Sequence, residues 1–364
     1  MNQHVFIIAE AGVNHNGDIG RALEMIEVAA AAGVDAIKFQ TFVPELLASA
    51  TAPQADYQSR NNPGHSNQLA MLQGLSLDFD AHHQLQQHCK QHGIAFMSSP
   101  FDLQSADFLI EQMQLERLKL GSGEITNAPL LLRIAQSHKP VILSTGMSTL
   151  QDTENALAVL AYGYQHAGEP QNLQQCLQYY QTSDEARSVL NKQVALLHCT
   201  TEYPCPFEDV NLNAMDSLAQ HFGLPVGYSD HTDGIAISIA AVAKGACIIE
   251  KHFTLDRALP GPDHQASIEP EQLRELVTSI RQVSAALGLA EKQPAASEQK
   301  NIAVARKSLT ALSTIMRGEP FSPNNLGCKR PGSGLSPMLY WDLLGQTAKR
   351  DYQADEMIGE MTES

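Results

Sequence analysis

The chain has 364 residues, 43% of them hydrophobic, and a formal net charge of −16 at pH 7. This length predicts two domains, or one large domain with a small one. The acidic charge argues against a nucleic-acid binder, which needs a basic surface. A small anionic substrate stays compatible with it, because a few cations focused in one cleft outweigh the overall sign locally.

Six scattered cysteines, with no CxxC pair among them, are typical of reduced thiols in a cytosolic protein. The first 17 residues lack the basic start and long apolar run of a signal peptide. No run approaches the roughly 18 apolar residues of a membrane span. The sequence therefore predicts a cytoplasmic protein without membrane association.

Eight short apolar runs recur along the chain, separated by segments with apolar residues at helical spacing. The runs occupy residues 5–12, 36–40, 94–100, 117–123, 140–146, 194–200, 225–230 and 247–253. Eight strand–helix units predict an α/β protein with a (β/α)8 TIM barrel. A doubly wound sheet is the alternative, although no GxGxxG follows the first run.

Two polar segments, residues 41–78 and 162–193, interrupt the alternation of strands and helices. The second is predicted to be a surface excursion with helical character. Residues 1–289 are thus assigned to the barrel, 290–301 to a linker, and 302–364 to a small turn-rich module. A module of that size has too small a hydrophobic core to be very stable alone, so it is expected to pack against the barrel or against a partner chain.

Polar side chains follow the end of every predicted strand, where a barrel enzyme carries its chemistry. Taken singly, each is a turn or solvated residue, but polar groups in a barrel mouth must all find partners. The set comprises Glu10, Lys38, Gln40, Ser99, Lys119, Ser122, Glu124, Ser144, Thr201, Tyr203, Ser229, His231, Glu250, Lys251 and His252.

His231 and His252 close the seventh and eighth strands, which are neighbours in a barrel. Their rings can converge on one divalent ion such as Mn²⁺, Fe²⁺, Co²⁺ or Zn²⁺; the alternative is two unrelated, hydrogen-bonded histidines. Because strand residues alternate between faces, Glu250 is expected at the barrel mouth with His252, whereas Lys251 points to the opposite face in a structural role.

Lys119, with Ser122, Ser144 and Ser229, offers one cation, three hydroxyls and nearby glycine amides. That is the composition of a phosphate or carboxylate cradle. Each serine alone is equally compatible with an ordinary strand-end turn.

Several of these segments are long and specific, and together they resemble the N-acetylneuraminate (sialic acid) synthase family, which includes the legionaminic and pseudaminic acid synthases. The segments that carry the resemblance run in the family's order through nearly the whole chain. They include AEAGVNHNGD (9–18), IKFQTF (37–42), KLGSGEITN (119–127), LSTGMS (143–148), LHCTTEYPCP (197–206), GYSDHT (227–232), EKHFTLD (250–256), PGPDH (260–264) and KRPGSG (329–334).

The resemblance implies a TIM barrel followed by an antifreeze-like (SAF) domain. It also implies a cytoplasmic enzyme that condenses phosphoenolpyruvate with open-chain N-acetylmannosamine and releases phosphate. A divalent metal is implied, Mn²⁺ first with Mg²⁺ or Co²⁺ as alternatives, and a domain-swapped homodimer.

The resemblance assigns roles to residues as well. The implied metal ligands are His231 and His252. The implied catalytic groups are Glu10, near the metal and sugar, and Glu124 and Asp263, which hold or activate the sugar and the attacking water. The implied phosphoenolpyruvate contacts are Lys38, Ser99, Lys119, Ser122, Ser144, Thr201 and Ser229. The implied sugar contacts are Gln40, Tyr203, Asp263 and Arg330, the last inserted by a partner subunit.

One position departs from the sialic acid pattern. Several bacterial sialic acid synthases read Thr-Asn-x-Tyr where this chain has residues 200–203, Thr-Thr-Glu-Tyr. A legionaminic acid synthase acting on 2,4-diacetamido-6-deoxy-mannose is therefore an alternative, and so is a sugar 6-phosphate as acceptor. Another phosphoenolpyruvate-using barrel enzyme and a non-catalytic carbohydrate- or ice-binding protein are the more distant alternatives.

Overall fold

Eight parallel strands form the centre of the first part of the chain, and each lies within one of the predicted runs except that β2 extends one residue further, to Thr41. They are β1 Phe6–Gly12, β2 Ala36–Thr41, β3 Ala95–Pro100, β4 Leu118–Leu120, β5 Val141–Ser144, β6 Val194–His198, β7 Val226–Asp230 and β8 Ile248–His252. They are hydrogen-bonded in the order β3-β2-β1-β8-β7-β6-β5-β4. The two end strands, β3 and β4, lie side by side. The predicted TIM barrel is thus confirmed.

Helices connect the strands and cover the barrel. They are α1 Ile19–Ala32, α2 Pro44–Leu47, α3 Gln68–Leu75, α4 Phe79–Gln91, α5 Leu103–Asp107, α6 Ala128–Gln136, α7 Leu150–Gln165, α8 Leu173–Thr182, α9 Asp184–Gln193, α10 Ala214–Phe222, α11 Ala236–Ala243 and α12 Pro270–Leu287. Their ends follow local chemistry. Helix α1 begins after Asp18, whose carboxylate accepts from the Arg21 N–H, and ends at Gly33, which has a φ of +83°.

The two polar segments that interrupt the alternation of strands and helices have different structures. The excursion at 162–193 contains the end of α7 and helices α8 and α9, so its predicted helical character is confirmed. The segment after β2 contains α2 and α3, whose apolar side chains pack with Val13 and Phe42 beside the barrel mouth. Part of this segment lies outside the described residues.

The alternation of the strands produces two separate apolar layers. Of two consecutive strand residues, one faces the helices and joins the large outer core. The outward residues include Ile7, Ile37, Leu118, Val141, Leu196, Val226 and Ile249. The other faces inward, where Ile8, Ala36, Met97, Ile142, Leu197 and Ile248 form an apolar plug. Two residues further along the same strands, the inward positions hold Glu10, Lys38, Ser99, Ser144, Cys199 and Glu250. The plug therefore supports a polar layer at the carboxyl ends of the strands.

The structure is a computed structural model and describes residues 4–55, 58 and 67–359. The chain divides into two units, Met1–Gly288 and Leu289–Ser364. The second has its own small core, including Leu309, Phe321 and Ile358, an antiparallel pair β9 Ser308–Ala311 and β10 Leu326–Lys329, and helices α13 Ala296–Ala305 and α14 Tyr340–Leu343. Helix α13 begins inside the segment that the sequence assigned to a linker. No helix in the described ranges is long and apolar enough to cross a membrane.

Candidate active site

The predicted site residues of the first unit line a single cavity of about 590 Å³ at the carboxyl ends of the strands. They are Glu10, Lys38, Gln40, Ser99, Lys119, Ser122, Glu124, Ser144, Thr201, Tyr203, Ser229, His231, His252 and Asp263. Arg330 lies in the second unit, where its Nε donates to the carbonyl oxygen of Ala305 at 2.9 Å.

A buried cluster of charges forms the floor of this cavity. Glu250 Oε1 accepts from Ser229 Oγ at 2.9 Å and lies 3.2 Å from Lys119 Nζ. Lys38 Nζ lies 2.5 Å from Glu10 Oε2 and 3.7 Å from Glu250 Oε2. All four charged side chains are at most 4% exposed. Two ammonium groups and two carboxylates thus face one another, so the floor is electrically compensated before any ligand binds.

The two carboxyls of the floor differ in their acidity. Burial by itself would raise the pKa of Glu250, but the ammonium groups of Lys119 and Lys38 outweigh it and lower that pKa to about 2. Burial raises the pKa of Glu10 to about 7, against the opposing charge of Lys38 and with the support of the neighbouring Glu250. Two carboxylates sharing one cation cannot both ionise equally well. Glu250 is therefore the fixed anion of the pair, and Glu10 is the one able to take up a proton near neutral pH.

Two hydroxyls in the wall lack a partner. Ser144 Oγ and Thr201 Oγ1 are buried, and neither makes a hydrogen bond within the described part of the chain. A buried hydroxyl without a partner carries a desolvation cost, so such groups in a cavity wall commonly face a ligand or water. Because both hydroxyls line the same cavity as Lys119, this wall is suited to an anion.

Gly146 is the residue around which the hydroxyls of this wall are arranged. Its N–H donates to Ser122 Oγ at 2.9 Å. A Cβ at this position would lie 2.5 Å from Thr201 Oγ1, 2.7 Å from Ser122 Oγ and 2.9 Å from Cys199 Sγ. The absence of a side chain at Gly146 therefore brings Thr201 and Ser122 into one small volume.

His231 and His252 lie side by side at the cavity wall, with ring centroids 5.4 Å apart. His231 Nδ1 is 2.6 Å from the carbonyl oxygen of Thr200 and must be the donor, so its Nε2 is the acceptor nitrogen; the hydroxyls of Tyr203 and Ser229 lie 3.3 and 3.4 Å from it. Nδ1 of His252 is buried, has no hydrogen-bond partner among the described residues, and lies 3.9 Å from Asp263 Oδ2. Burial lowers both pKa values, that of His231 to about 4, so both rings are neutral. Two neutral imidazoles, each with an acceptor nitrogen, and a nearby carboxylate fit a divalent metal.

Glu124 and Asp263 line the same cavity. Glu124 Oε2 accepts from Asn127 Nδ2 at 2.7 Å, and burial raises its pKa against the effect of that hydrogen bond. Burial also raises the pKa of Asp263, to about 6. Asp263 is thus suited to exchange a proton not far below neutral pH, and Glu124 retains its proton to a higher pH than an exposed glutamate does.

The site also contains two residues to which the sequence assigned no role in binding or catalysis. Glu250 was expected at the barrel mouth, but its direct contacts with both lysines make it the central anion of the floor. Cys199 lies in the wall with its Sγ 3.1 Å from Ser122 Oγ. Strand alternation gave a signal for both, since each lies at an inward position. Lys251, as predicted, faces the helices, where its Nζ lies 3.2 Å from Asp230 Oδ2.

His15, in the loop after β1, provides a pH-dependent contribution to stability. Its Nδ1 accepts from the Gly17 N–H, and burial lowers its pKa from 6.5 to about 4. Below pH 6.5 His15 binds a proton in the unfolded chain, whereas in the folded state it stays neutral until about pH 4. The free energy of unfolding therefore falls as the pH falls through this window. At pH 4.5 the loss attributable to His15 is about 2–3 kcal/mol.

We expect His15→Asn, whose amide oxygen can still accept from Gly17, to reduce that loss by this amount. Urea unfolding of the metal-free protein at pH 4.5 and pH 7 measures it. Other titrating groups are common to both chains, so the difference between the chains isolates His15. Equal pH dependence in the two chains would contradict the assignment.

The chain matches the NeuB family over residues 25–292 and the SAF domain over residues 306–360. The N,N'-diacetyllegionaminic acid synthase of Campylobacter jejuni is 49% identical over 354 residues, covering 97% of this chain and 98% of that protein. The protein of the same name from Legionella pneumophila is 44% identical, covering 96% and 92%. A crystal structure of N-acetylneuraminic acid (sialic acid) synthetase from Leptospira borgpetersenii has a TM-score of 0.66 at 34% identity, covering 83% of this chain and 91% of that one.

Proposed function

Since the chain belongs to the NeuB family, we propose that it condenses phosphoenolpyruvate with an open-chain N-acyl amino sugar to form a nonulosonic acid. It is a phosphoenolpyruvate-dependent, carbon–carbon bond-forming transferase. The observation that carries the proposal is the lining of one cavity, which combines the ammonium groups of Lys119 and Lys38 with two buried hydroxyls that make no hydrogen bond among the described residues.

Phosphoenolpyruvate is bound by the wall and floor of the cavity. Lys119, Ser144 and Thr201 contact its phosphate, with Ser122 and Ser229 beside them, and Lys38 with Ser99 contacts its carboxylate. Lys38 Nζ already donates to Ser99 Oγ at 3.3 Å. Glu250 stabilises both ammonium groups in the charged form and in fixed positions, so little reorganisation is needed when the anion binds.

His231 and His252 hold a divalent metal, Mn²⁺ in first place with Mg²⁺ or Co²⁺ as alternatives. When bound, this ion polarises the aldehyde oxygen of the sugar as a Lewis acid. The carbonyl of Thr200 fixes the His231 tautomer that presents Nε2 to the cavity. Asp263, whose carboxylate lies 3.9 Å from His252 Nδ1, orients the water or sugar group next to that ring, and Glu10 lines the same cavity.

The reaction joins C3 of phosphoenolpyruvate to the aldehyde carbon and leaves cationic character at C2. Water adds at C2, and the tetrahedral intermediate expels phosphate by cleavage of the C2–O bond. Asp263 and Glu124 are the bases available for the proton of that water, because their pKa values are raised toward neutrality. Gln40 and Tyr203 position the sugar.

We place 2,4-diacetamido-6-deoxy-mannose first as the sugar, ahead of the N-acetylmannosamine expected from the sequence. The relatives named for N,N'-diacetyllegionaminic acid support this order. Thr201 supports it as well, because a hydroxyl replaces the amide of the sialic acid pattern at the cavity wall.

The test is initial-rate phosphate release with 2,4-diacetamido-6-deoxy-mannose, N-acetylmannosamine, its 6-phosphate and arabinose 5-phosphate, each with and without chelator. We expect the diacetamido sugar to give a kcat/KM at least about tenfold above that of N-acetylmannosamine, the discrimination that one or two well-placed polar contacts supply. Chelation should abolish release, and Mn²⁺ should restore it. A preference for N-acetylmannosamine would overturn the sugar assignment, and full activity in chelator would overturn the metal assignment.

Arg330 acts, in this proposal, from the second copy of a domain-swapped homodimer and contacts the N-acyl group of the sugar. Mixing Arg330→Ala chains with His252→Ala chains then restores part of the activity, since each heterodimer contains one intact site. No recovery, with subunit exchange verified, would contradict this arrangement.

The free state of all six thiols supports a cytoplasmic location for the dimer.

Gly146→Ala is expected to raise the KM for phosphoenolpyruvate by about 10–100-fold, the effect of losing one charge-assisted hydrogen bond. The new methyl group would push Thr201 Oγ1 and Ser122 Oγ away from the phosphate. Gly146 has no positive φ, so alanine fits the backbone and the fold should persist. Gly168→Ala is the matched control, because a Cβ there meets nothing within 4 Å. An unchanged KM in Gly146→Ala would remove this wall from the phosphate site.

A further inference from the structure

A second group of metal-binding side chains lies outside the barrel mouth. Glu27 on α1, His88 on α4 and His92, which caps the C-terminus of α4, come together where these two helices pack against each other. None of the three lines the active-site cavity. In the described part of the chain they are the one group of three such residues whose ligand atoms all lie within 4.8 Å of one another.

The distances within this group are close to those of a coordination sphere. His88 Nε2 lies 3.1 Å from Glu27 Oε1, and the rings of His88 and His92 have centroids 4.5 Å apart. A tetrahedral ion with bonds of about 2.0–2.2 Å holds its ligand atoms about 3.4 Å apart. Small side-chain rotations therefore suffice to bring all three donors onto one ion.

Structural roles account for part of this arrangement only. A positive charge at the C-terminus of α4 is favoured by the helix dipole, and Glu27 can accept a hydrogen bond from His88. Two protonated imidazoles at this separation would repel each other, however, whereas two neutral rings can share a cation. The convergence of both rings on one carboxylate thus favours coordination.

We propose that Glu27, His88 and His92 form a surface site for Zn²⁺ or a similar borderline transition-metal ion, with water completing the coordination. Two imidazoles and one carboxylate suit such an ion, while Mg²⁺ and Ca²⁺ select oxygen ligands. Helix α1 follows β1, which carries Glu10, and α4 leads into β3, which carries Ser99. The ion would cross-link these two helices and stabilise the barrel without taking part in catalysis.

The test is Zn²⁺ stoichiometry of the full-length chain by calorimetric titration, comparing wild type with the double variant His88→Gln, His92→Gln. His83→Gln is the matched control, since His83 is an exposed histidine of the same helix outside the group. We expect the double variant to bind one Zn²⁺ fewer per chain than wild type and His83→Gln. Because the criterion is a difference between chains, it holds whether or not the barrel mouth also binds zinc.

A second measurement uses the change in melting temperature on adding Zn²⁺, in a background of His231→Ala and His252→Ala. A saturating ion that binds only the folded state should raise the melting temperature by several degrees, and replacing His88 and His92 should remove that rise. Equal Zn²⁺ stoichiometry in all chains, or an equal rise with and without the two histidines, would overturn the proposal.

Discussion

Lys119→Met is expected to lower kcat/KM for phosphoenolpyruvate by about 10²–10³-fold, the effect of removing one preorganised donor from a desolvated site. Lys119 Nζ is nearly completely buried, lies 3.2 Å from Glu250 Oε1 and faces the cavity. In the variant, the carboxylate of Glu250 loses the nearer of its two neutralising ammonium groups, so the incoming anion meets repulsion where it met attraction. Methionine retains much of the length and volume of lysine, which limits any packing change.

Steady-state kinetics with both substrates separates binding from chemistry for this variant. The fold should persist, because Glu250 keeps its hydrogen bond from Ser229 and its contact with Lys38. Circular dichroism and thermal unfolding check this. A Lys119→Met enzyme with wild-type kcat/KM would show that the anion binds elsewhere in the barrel.

Lys251→Met is expected to have the opposite effect, a loss of stability with little loss of activity. Lys251 and Asp230 form a fully buried ion pair on the outer face of the strands, with both side chains 0% exposed. Removing one member of such a pair leaves an uncompensated charge and costs about 3–5 kcal/mol. For a unit of this size, that lowers the melting temperature on the order of 10 °C.

The kcat/KM of folded Lys251→Met enzyme, measured well below its melting temperature, should stay near wild type, since Lys251 does not line the cavity. Asp230 remains anchored by the Thr232 N–H and by the hydroxyls of Thr232 and Ser238. Lys119→Met and Lys251→Met thus act as controls for each other. A stable but inactive Lys251→Met enzyme would mean that the alternation of β8 is assigned to the wrong faces.

Strand periodicity made the barrel predictable. In β8 the sequence Glu250-Lys251-His252 contains three polar residues, and only alternation separates the two that face the cavity from the one that faces the helices. The same rule places Glu10, Lys38 and Ser144 in one layer, because each follows a plug residue by two positions. The pattern within each strand is sufficient to assign its two faces, because a slip of one residue would turn every apolar side chain to the wrong face.

The contacts between strands were not predictable from pattern alone. The role of Glu250 depends on the register that sets it beside Ser229 and on the reach of two lysines from other strands. Gly146 received no role from the sequence, because its importance depends on three side chains from other segments. The group formed by Glu27, His88 and His92 depends on the packing of α1 against α4, which no local spacing specifies.

The most direct measurement follows the bridging oxygen of phosphoenolpyruvate during turnover with 2,4-diacetamido-6-deoxy-mannose. With ¹⁸O between C2 and phosphorus, cleavage of the C–O bond transfers the label to phosphate, and cleavage of the P–O bond leaves it with the C2 group before exchange. We predict one ¹⁸O in each phosphate released and one nonulosonic acid formed per phosphate, with a kcat/KM that Lys119→Met lowers by about 10²–10³-fold. Unlabelled phosphate, or no sugar-dependent release with any acceptor of the panel, would contradict the account.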